Sequence, residues 1–231
     1  MRLPPLRPAT LVRRYKRFLG DLRFDDGTEA VAHVPNPGRM TACLRDGETP
    51  VLVSEAAGPA RKLRWTVELA MPGDAWVLVH PGRANAIVGE ALAAGGIPEL
   101  AGYAQARPEQ RYGEGSRIDW LLTDGARPAY VEVKNATLVR DGIACFPDAV
   151  TARGARHLAE LEGIVAAGAR GVLLFHMGRP NAAAVTPTDD VDPVYGAALR
   201  RALRAGVEVL AYRSVVTPDA VTLGEALPVR V

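Results

Sequence analysis

The chain reads as a mixed α/β protein, with a small all-β barrel over residues 1–82 and a domain built on a mixed sheet over residues 83–231. Three observations lead there. Between residues 9 and 80, short apolar or alternating runs recur at intervals of roughly 8 to 15 residues, separated by turn residues. At about residue 83 the apolar period changes from that of a strand to that of a helix. Further on, strand-length runs joined by a short turn give way to runs separated by helices, which calls for antiparallel pairs first and a parallel crossover after them.

The first five strand runs are ATLVRRYKRFL, EAVAHV, PVLVSEA, RWTVELAM and AWVLVH. Between them DDGT, PNPGRM, RDGETP and MPGD supply glycine for positive φ and proline for a fixed φ. Five short strands suit a closed barrel or a sandwich, and an OB-like barrel, a fold that commonly binds oligonucleotides, is one such solution. In RANAIVGEALAAGGIPEL, Ile87, Val88, Ala91 and Leu92 share one side and two glycines stop the run, predicting a helix of about 12 residues. EQRYG, SRIDWLLT and AYVEVKNATLV form an antiparallel meander, its last two strands joined at Asp124 and Gly125. Thr151 is a fitting N-cap for a helix that carries Leu158, Leu161 and Val165 and stops at Gly168. GVLLFHM reads as a buried strand. Asp192 caps and Pro193 opens a further helix, which closes at Gly206 and leads into the strand VEVLAY. The segment VTPTDDVDP reads as a loop.

Composition places the chain among ordinary globular proteins: 48% hydrophobic, 23% charged, mean hydropathy near zero. The N-terminus has arginines and prolines where a signal peptide needs an apolar segment, and no run approaches the ~18 apolar residues of a membrane span. A cytoplasmic protein with no membrane partner is therefore expected. Cys43 and Cys145 have no CxxC or histidine-spaced partner and are expected to be reduced and buried. The net charge of +2 decides little, but its distribution is uneven. Residues 1–24 carry Arg2, Arg7, Arg13, Arg14, Lys16, Arg17 and Arg23 against Asp21 alone, with Tyr15, Phe18 and Phe24 among them. A basic strip interleaved with aromatics suits a nucleic-acid backbone, and equally suits a solvated strand face.

The stretch YVEVKNATL, residues 130–138, puts Glu132 and Lys134 on one strand face and Val131 and Val133 on the other. If the preceding hairpin turns near residues 125 and 126, Asp119 falls opposite Glu132. Opposed like charges destabilise a sheet unless a pKa rises or a cation lies between them. Two carboxylates suit Mg²⁺ or Mn²⁺ completed by water and phosphate oxygens, so the pattern points to phosphate chemistry. Lys134 would orient the attacking water or neutralise charge on the phosphorane, and Glu90 would add a third metal ligand if its helix packs beside the meander. The alternative is a structural ion cluster.

The order helix, three-stranded meander, helix, strand, with Asp119 followed by ExK on the next strand, resembles the restriction-endonuclease-like PD-(D/E)xK nucleases. Ile118 stands where the family label has proline. The resemblance implies Glu90 as the carboxylate of the first helix, and Arg153 and His157, at i, i+4 on the later helix, as phosphate-handling groups. Over the whole length, ATLVRRYKRFL, HVPNPGRM, GSRIDWLL, VEVKNATL and FPDAVTARGARHLAEL resemble the signature blocks of the SfsA family, the sugar fermentation stimulation protein A homologues. That resemblance implies an OB-type barrel before a nuclease-like domain, DNA binding, and a regulatory part in sugar (maltose) metabolism. It also places Asn36, Gly38 and Arg39 on a loop near the barrel mouth.

The expectation is a DNA-binding protein with little sequence preference that carries a Mg²⁺- or Mn²⁺-dependent nuclease site. Catalysis and metal binding would fall to Asp119, Glu132 and Glu90, with Lys134 catalytic. Nucleic acid, DNA ahead of RNA, would be held by Arg13, Arg14, Tyr15, Lys16, Arg17, Asn36, Arg39, Arg153 and His157. The alternative is a regulatory DNA-binding factor that does not cut. A small-molecule sugar enzyme finds no nucleotide loop and no triad here.

Overall fold

A computed structural model of the chain describes residues 1–40, 42–44, 48–56, 62–112 and 116–231. Strands β1 (Leu6–Tyr15), β2 (Leu19–Arg23), β3 (Glu29–His33), β4 (Thr49–Glu55), β5 (Trp65–Ala70) and β6 (Val77–Leu78) form the first sheet in the order β3-β2-β1-β4-β5-β6. Parallel pairing of β3 with β5, at Ala32 with Trp65, closes five strands into a barrel. Alternation along the strands buries Leu11, Leu22, Val51, Val53 and Val67 inside it. The predicted first strand is two: Lys16 and Arg17 take positive φ (46° and 65°) and turn the chain back on itself, with Tyr15 paired to Leu19. Arg14 Nε holds that turn by donating to the Arg17 carbonyl at 2.8 Å. The run AWVLVH keeps only two strand residues, paired to β5, and the Leu78 N–H on the far side donates to the Gly178 carbonyl of the second domain. Of the predicted turn RDGETP, residues 45–47 lie outside the described residues.

Helix α1 (Gly82–Ala93) follows, ending at Gly95 with φ 68°. The second sheet has the order β15-β14-β12-β9-β8-β7, from β7 (Gln105–Tyr112), β8 (Ser116–Thr123), β9 (Ala129–Ala136), β12 (Arg170–Met177), β14 (Glu208–Val216) and β15 (Val221–Ala226). β7, β8 and β9 are the antiparallel meander; β9, β12 and β14 run parallel through α2 (Ala152–Ala166) and α3 (Pro193–Arg204). The caps are those predicted: Thr151 accepts from Gly154 N–H, and Asp192 from Tyr195 N–H. α1 covers one sheet face with Ala84 and Val88 on Val131, Val133 and Leu174. α2 and α3 cover the other, with Leu158, Leu161 and Leu199 on Leu173 and Phe175.

Two segments depart from expectation. The strand from 129 ends at Ala136, and Leu138 and Val139 belong to β10 (Leu138–Arg140) in a separate sheet with β11 (Ile143–Phe146) and β13 (Val185–Pro187). The break sits at Thr137, whose carbonyl is taken by the Arg179 guanidinium at 3.0 Å instead of by a neighbouring strand. β13 lies within the predicted loop, pairing parallel to β11. Both cysteines are free and buried, and no helix among the described residues is long and apolar enough to cross a membrane.

Candidate functional site

The ladder between β8 and β9 pairs Leu122 with Ala129 and Trp120 with Val131. Continued by one residue, that register opposes Asp119 and Glu132, as the hairpin predicts. The ladder stops short of them. Asp119 Oδ2 instead accepts the Val133 N–H at 2.7 Å, so a carboxylate stands where a strand carbonyl would be. Its Oδ1 accepts from Asn85 Nδ2, on α1, at 2.7 Å. Burial raises the Asp119 pKa above the ordinary carboxylate value, and the neighbouring Glu132 charge adds to the rise, against the pull of the Val133 N–H and Asn85.

Glu132 is 3% exposed beneath α2. Its Oε1 accepts from Lys134 Nζ at 2.5 Å and from His157 Nδ1 in a short contact. Arg153 Nε donates to His157 Nε2 at 3.1 Å. That makes Nε2 the acceptor and leaves the ring proton on Nδ1, toward Glu132. Burial alone pushes the Glu132 pKa up, but the His157 hydrogen bond and the Lys134 charge outweigh it and hold the group below its ordinary value. Two neighbouring carboxylates are thus driven in opposite directions by their surroundings. Glu132 Oε2 is buried without a hydrogen-bond partner among the described residues, a costly state for a carboxylate oxygen.

A cleft of about 410 Å³ opens beside this cluster. Asp119, Asn85 and Lys134 line one wall, and Arg17, Asn36 and Gly38 of the barrel line the facing one. The loop HVPNPGRM, which the resemblance put only near the barrel mouth, therefore borders the candidate site through Asn36, Pro37 and Gly38. Gly38 has a steric reason to be glycine: a Cβ there would meet Asp148 Oδ2 at 2.2 Å.

Several predicted residues do other work. Glu90 is no part of the cluster; it sits on the exposed side of α1, paired with the terminal amine of Met1 at 2.5 Å. From Asn85, a step of five residues turns about 140° around the helix, so its charge points elsewhere. Asn36 is buried and spent on its own loop, accepting from Gly38 N–H and donating to the Val79 carbonyl. Arg14 clamps the same loop through the carbonyls of Asn36, Gly38 and Arg39, at 2.6 to 2.9 Å. Arg13 pairs with Asp21 at 2.6 Å and lies over the Tyr15 ring. Arg7 and Arg23 are likewise paired, with Asp26 and Glu48. Lys16, Arg17 and Arg39 are exposed and have no acidic partner among the described residues; Arg17 lines the cleft, and the other two flank its lining residues in the chain. Asn85 was missed by sequence reasoning, since nothing in RANAI distinguishes it from a solvated helix residue.

No group of three or more metal-ligating side chains exists among the described residues, which removes the three-carboxylate set. Asp119 and Glu132 remain as an oxygen donor pair, one with an unpartnered buried oxygen. That fits a hard cation taking one or two carboxylates and completing its sphere with water and phosphate.

The model for the SfsA N-terminal OB domain matches residues 12–79, and that for the sugar fermentation stimulation protein RE domain matches residues 82–220. The chain belongs to the SfsA family. Among SfsA relatives, the sugar fermentation stimulation protein homolog of Acidithiobacillus ferrooxidans (strain ATCC 53993 / BNL-5-31) is 49% identical over 230 residues, 99% of each chain. That of Geobacter sulfurreducens is 50% identical over 225 residues, 97% of this chain and 96% of the relative. The solved structure of Pyrococcus furiosus SfsA in complex with Ca²⁺ superposes with a TM-score of 0.87 at 28% identity, covering 100% of this chain and 98% of that one.

Proposed function

We propose that this SfsA protein binds nucleic acid in the cleft between barrel and mixed sheet and hydrolyses a phosphodiester there with Mg²⁺ or Mn²⁺. The observation that carries the reading is the pair of neighbouring carboxylates, Asp119 with its pKa raised and Glu132 with an orphaned buried oxygen, beside a lysine that lines the cleft. A relative solved with Ca²⁺ supports a divalent cation for the family.

Asp119 and Glu132 would hold the metal, which when bound polarises the phosphate and acidifies a water. Asn85 and the Val133 N–H fix the Asp119 carboxylate, and His157 fixes Glu132 from behind, so neither has to reorganise during reaction. Lys134 sets a positive charge in the cleft wall, where it neutralises charge developing on the phosphate oxygens. Lys16, Arg17 and Arg39 meet backbone phosphates, giving steeply salt-dependent binding with little sequence preference.

The test is cleavage of labelled single- and double-stranded DNA and of RNA with Mg²⁺, Mn²⁺ or chelator, comparing wild type with Glu132→Gln and Lys134→Ala, with affinity measured in parallel. Metal-dependent cutting that both substitutions abolish while binding survives is the expected result. Binding without cutting on every substrate would leave a second reading, a non-catalytic DNA-binding factor in sugar metabolism, in keeping with the names of the relatives. The observation on that side is that Lys134 and His157 already occupy Glu132 Oε1, leaving Oε2 alone for a metal.

A further inference from the structure

Arg179, just past β12, is 6% exposed, yet no carboxylate among the described residues lies within ion-pair reach of it. Its Nε donates to Asn181 Oδ1 at 2.6 Å, its Nη1 to the Thr137 carbonyl at 3.0 Å, and Cys43 Sγ lies 4.0 Å from Nη1. Nη2 has no partner among the described residues, and it is not sealed from solvent as the orphaned Glu132 Oε2 is, so it is the nitrogen open to a ligand. The contrast with Glu68 is instructive: that buried charge, 1% exposed, has Arg83 at 2.7 Å. A buried guanidinium bonded only to neutral groups is costly unless an anion completes it.

The surroundings are arranged to offer donors. Asn181 is exposed, and because its oxygen is consumed by Arg179, its NH₂ group is the part left free. Arg179 and Asn181 line a cleft of about 390 Å³ between the 71–76 turn of the barrel and the end of the second domain's sheet. Asp74, exposed on the barrel wall, is the carboxylate in that lining, and water screens it. Thr137 lies three residues beyond Lys134, about 10 Å along the chain.

We propose that Arg179 and Asn181 form a phosphate-binding subsite at the junction of the two domains, separate from the Asp119 and Glu132 cluster. Arg179 offers the charged donors and Asn181 the neutral ones, a set that selects an oxyanion over a neutral acceptor. The phosphate comes from the backbone of a bound strand or from a free phosphate ester. Only the first source rests on the nucleic-acid reading.

Asn181→Asp is the informative variant, since it supplies the counter-ion that Arg179 lacks at an exposed position that does not endanger folding. Wild type, Asn181→Asp and Asn181→Ala are titrated in chelator with inorganic phosphate by calorimetry and with a short labelled single strand by anisotropy over a salt series. Thermal melting is recorded alongside. Asn181→Asp should melt at or above the wild-type temperature and lose about tenfold or more in phosphate affinity. With the backbone as source, the slope of log affinity against log salt should also fall by about one. Lost phosphate binding with an unchanged slope assigns the subsite to a free phosphate ester. Wild type that binds no phosphate at millimolar concentration, or Asn181→Asp that binds it as wild type does, overturns the proposal. Because chelator is present throughout, these titrations read the subsite without the metal site, and a failed cleavage assay would leave their outcome untouched.

Discussion

The Asp119 carboxylate accepts the Val133 N–H at 2.7 Å, at the point where β8 and β9 part. A side chain thereby takes over one rung of the sheet, and the backbone next to Glu132 and Lys134 is held by the residue whose charge it must accommodate. Positioning of the acidic pair and integrity of the sheet are the same interaction.

The second anchor of Asp119 is Asn85 Nδ2. Asn85→Ala should weaken Mn²⁺ binding about tenfold, in the range for groups that orient metal ligands, and cost about 1 kcal/mol of stability. Glu90→Gln, on the exposed side of the same helix, should leave Mn²⁺ affinity unchanged. Calorimetric titration of both variants decides the matter, and a loss in Glu90→Gln equal to that in Asn85→Ala would restore Glu90 to the site.

His157 is 4% exposed and bonded to Glu132. His157→Ala removes a charge-assisted bond from a buried carboxylate and should cost about 2 kcal/mol in urea unfolding. His157→Gln, which keeps a donor, should recover part of that loss. Equal stability for the two variants would show that the contact is packing only.

Gly38→Ala would set a methyl against the Asp148 carboxylate. Either the Asp148 side chain, which accepts the Met40 N–H, or the loop must shift, lowering stability by about 1 kcal/mol and up to about 3 where the loop moves, and weakening oligonucleotide binding. In the double variant Gly38→Ala, Asp148→Ala the clash is gone and most of the loss should return. Urea denaturation of the single and double variants measures the coupling, and additive losses would place the strain elsewhere.

His176 is fully buried between Asn135 and Ser214, and burial pushes its pKa down to about 4. The unfolded chain takes up the proton at about 6.5 and the folded chain only near 4, so the unfolded state binds more protons between those values and stability falls as pH drops. The full contribution is present above pH 6.5, and roughly 3 kcal/mol is lost by pH 4. Urea unfolding at pH 7, 5.5 and 4.5 should show that slope in wild type and a flatter one in His176→Gln. Parallel slopes would assign the acid sensitivity to other groups.

Elements whose signals are local were legible from residue types. Thr151 and Asp192 cap helices and Pro193 opens one because helix starts are settled within one turn, and the meander register followed from the turn between β8 and β9, which brought Asp119 opposite Glu132. The double strand hidden in ATLVRRYKRFL was not legible, because its reversal uses Lys16 and Arg17 in a backbone region that side chains rarely signal. Nor was the fate of the basic strip, since Asp26 and Glu48 lie outside it in the chain and reach Arg7 and Arg23 only across the folded barrel.

The chain's residue order by itself determined the barrel and the mixed sheet, the helix boundaries, and the carboxylate, carboxylate and lysine triplet on one hairpin, because hydrophobic period, caps and hairpin register act over a few residues. Only the tertiary structure decided which group of α1 meets that triplet, Asn85 in place of Glu90, which cation remains at the cleft, and that the barrel loop 36–38 forms its facing wall. Those outcomes depend on the rotation of a helix about its axis and on contacts between residues far apart in the chain, which packing of the two domains sets and local pattern does not encode.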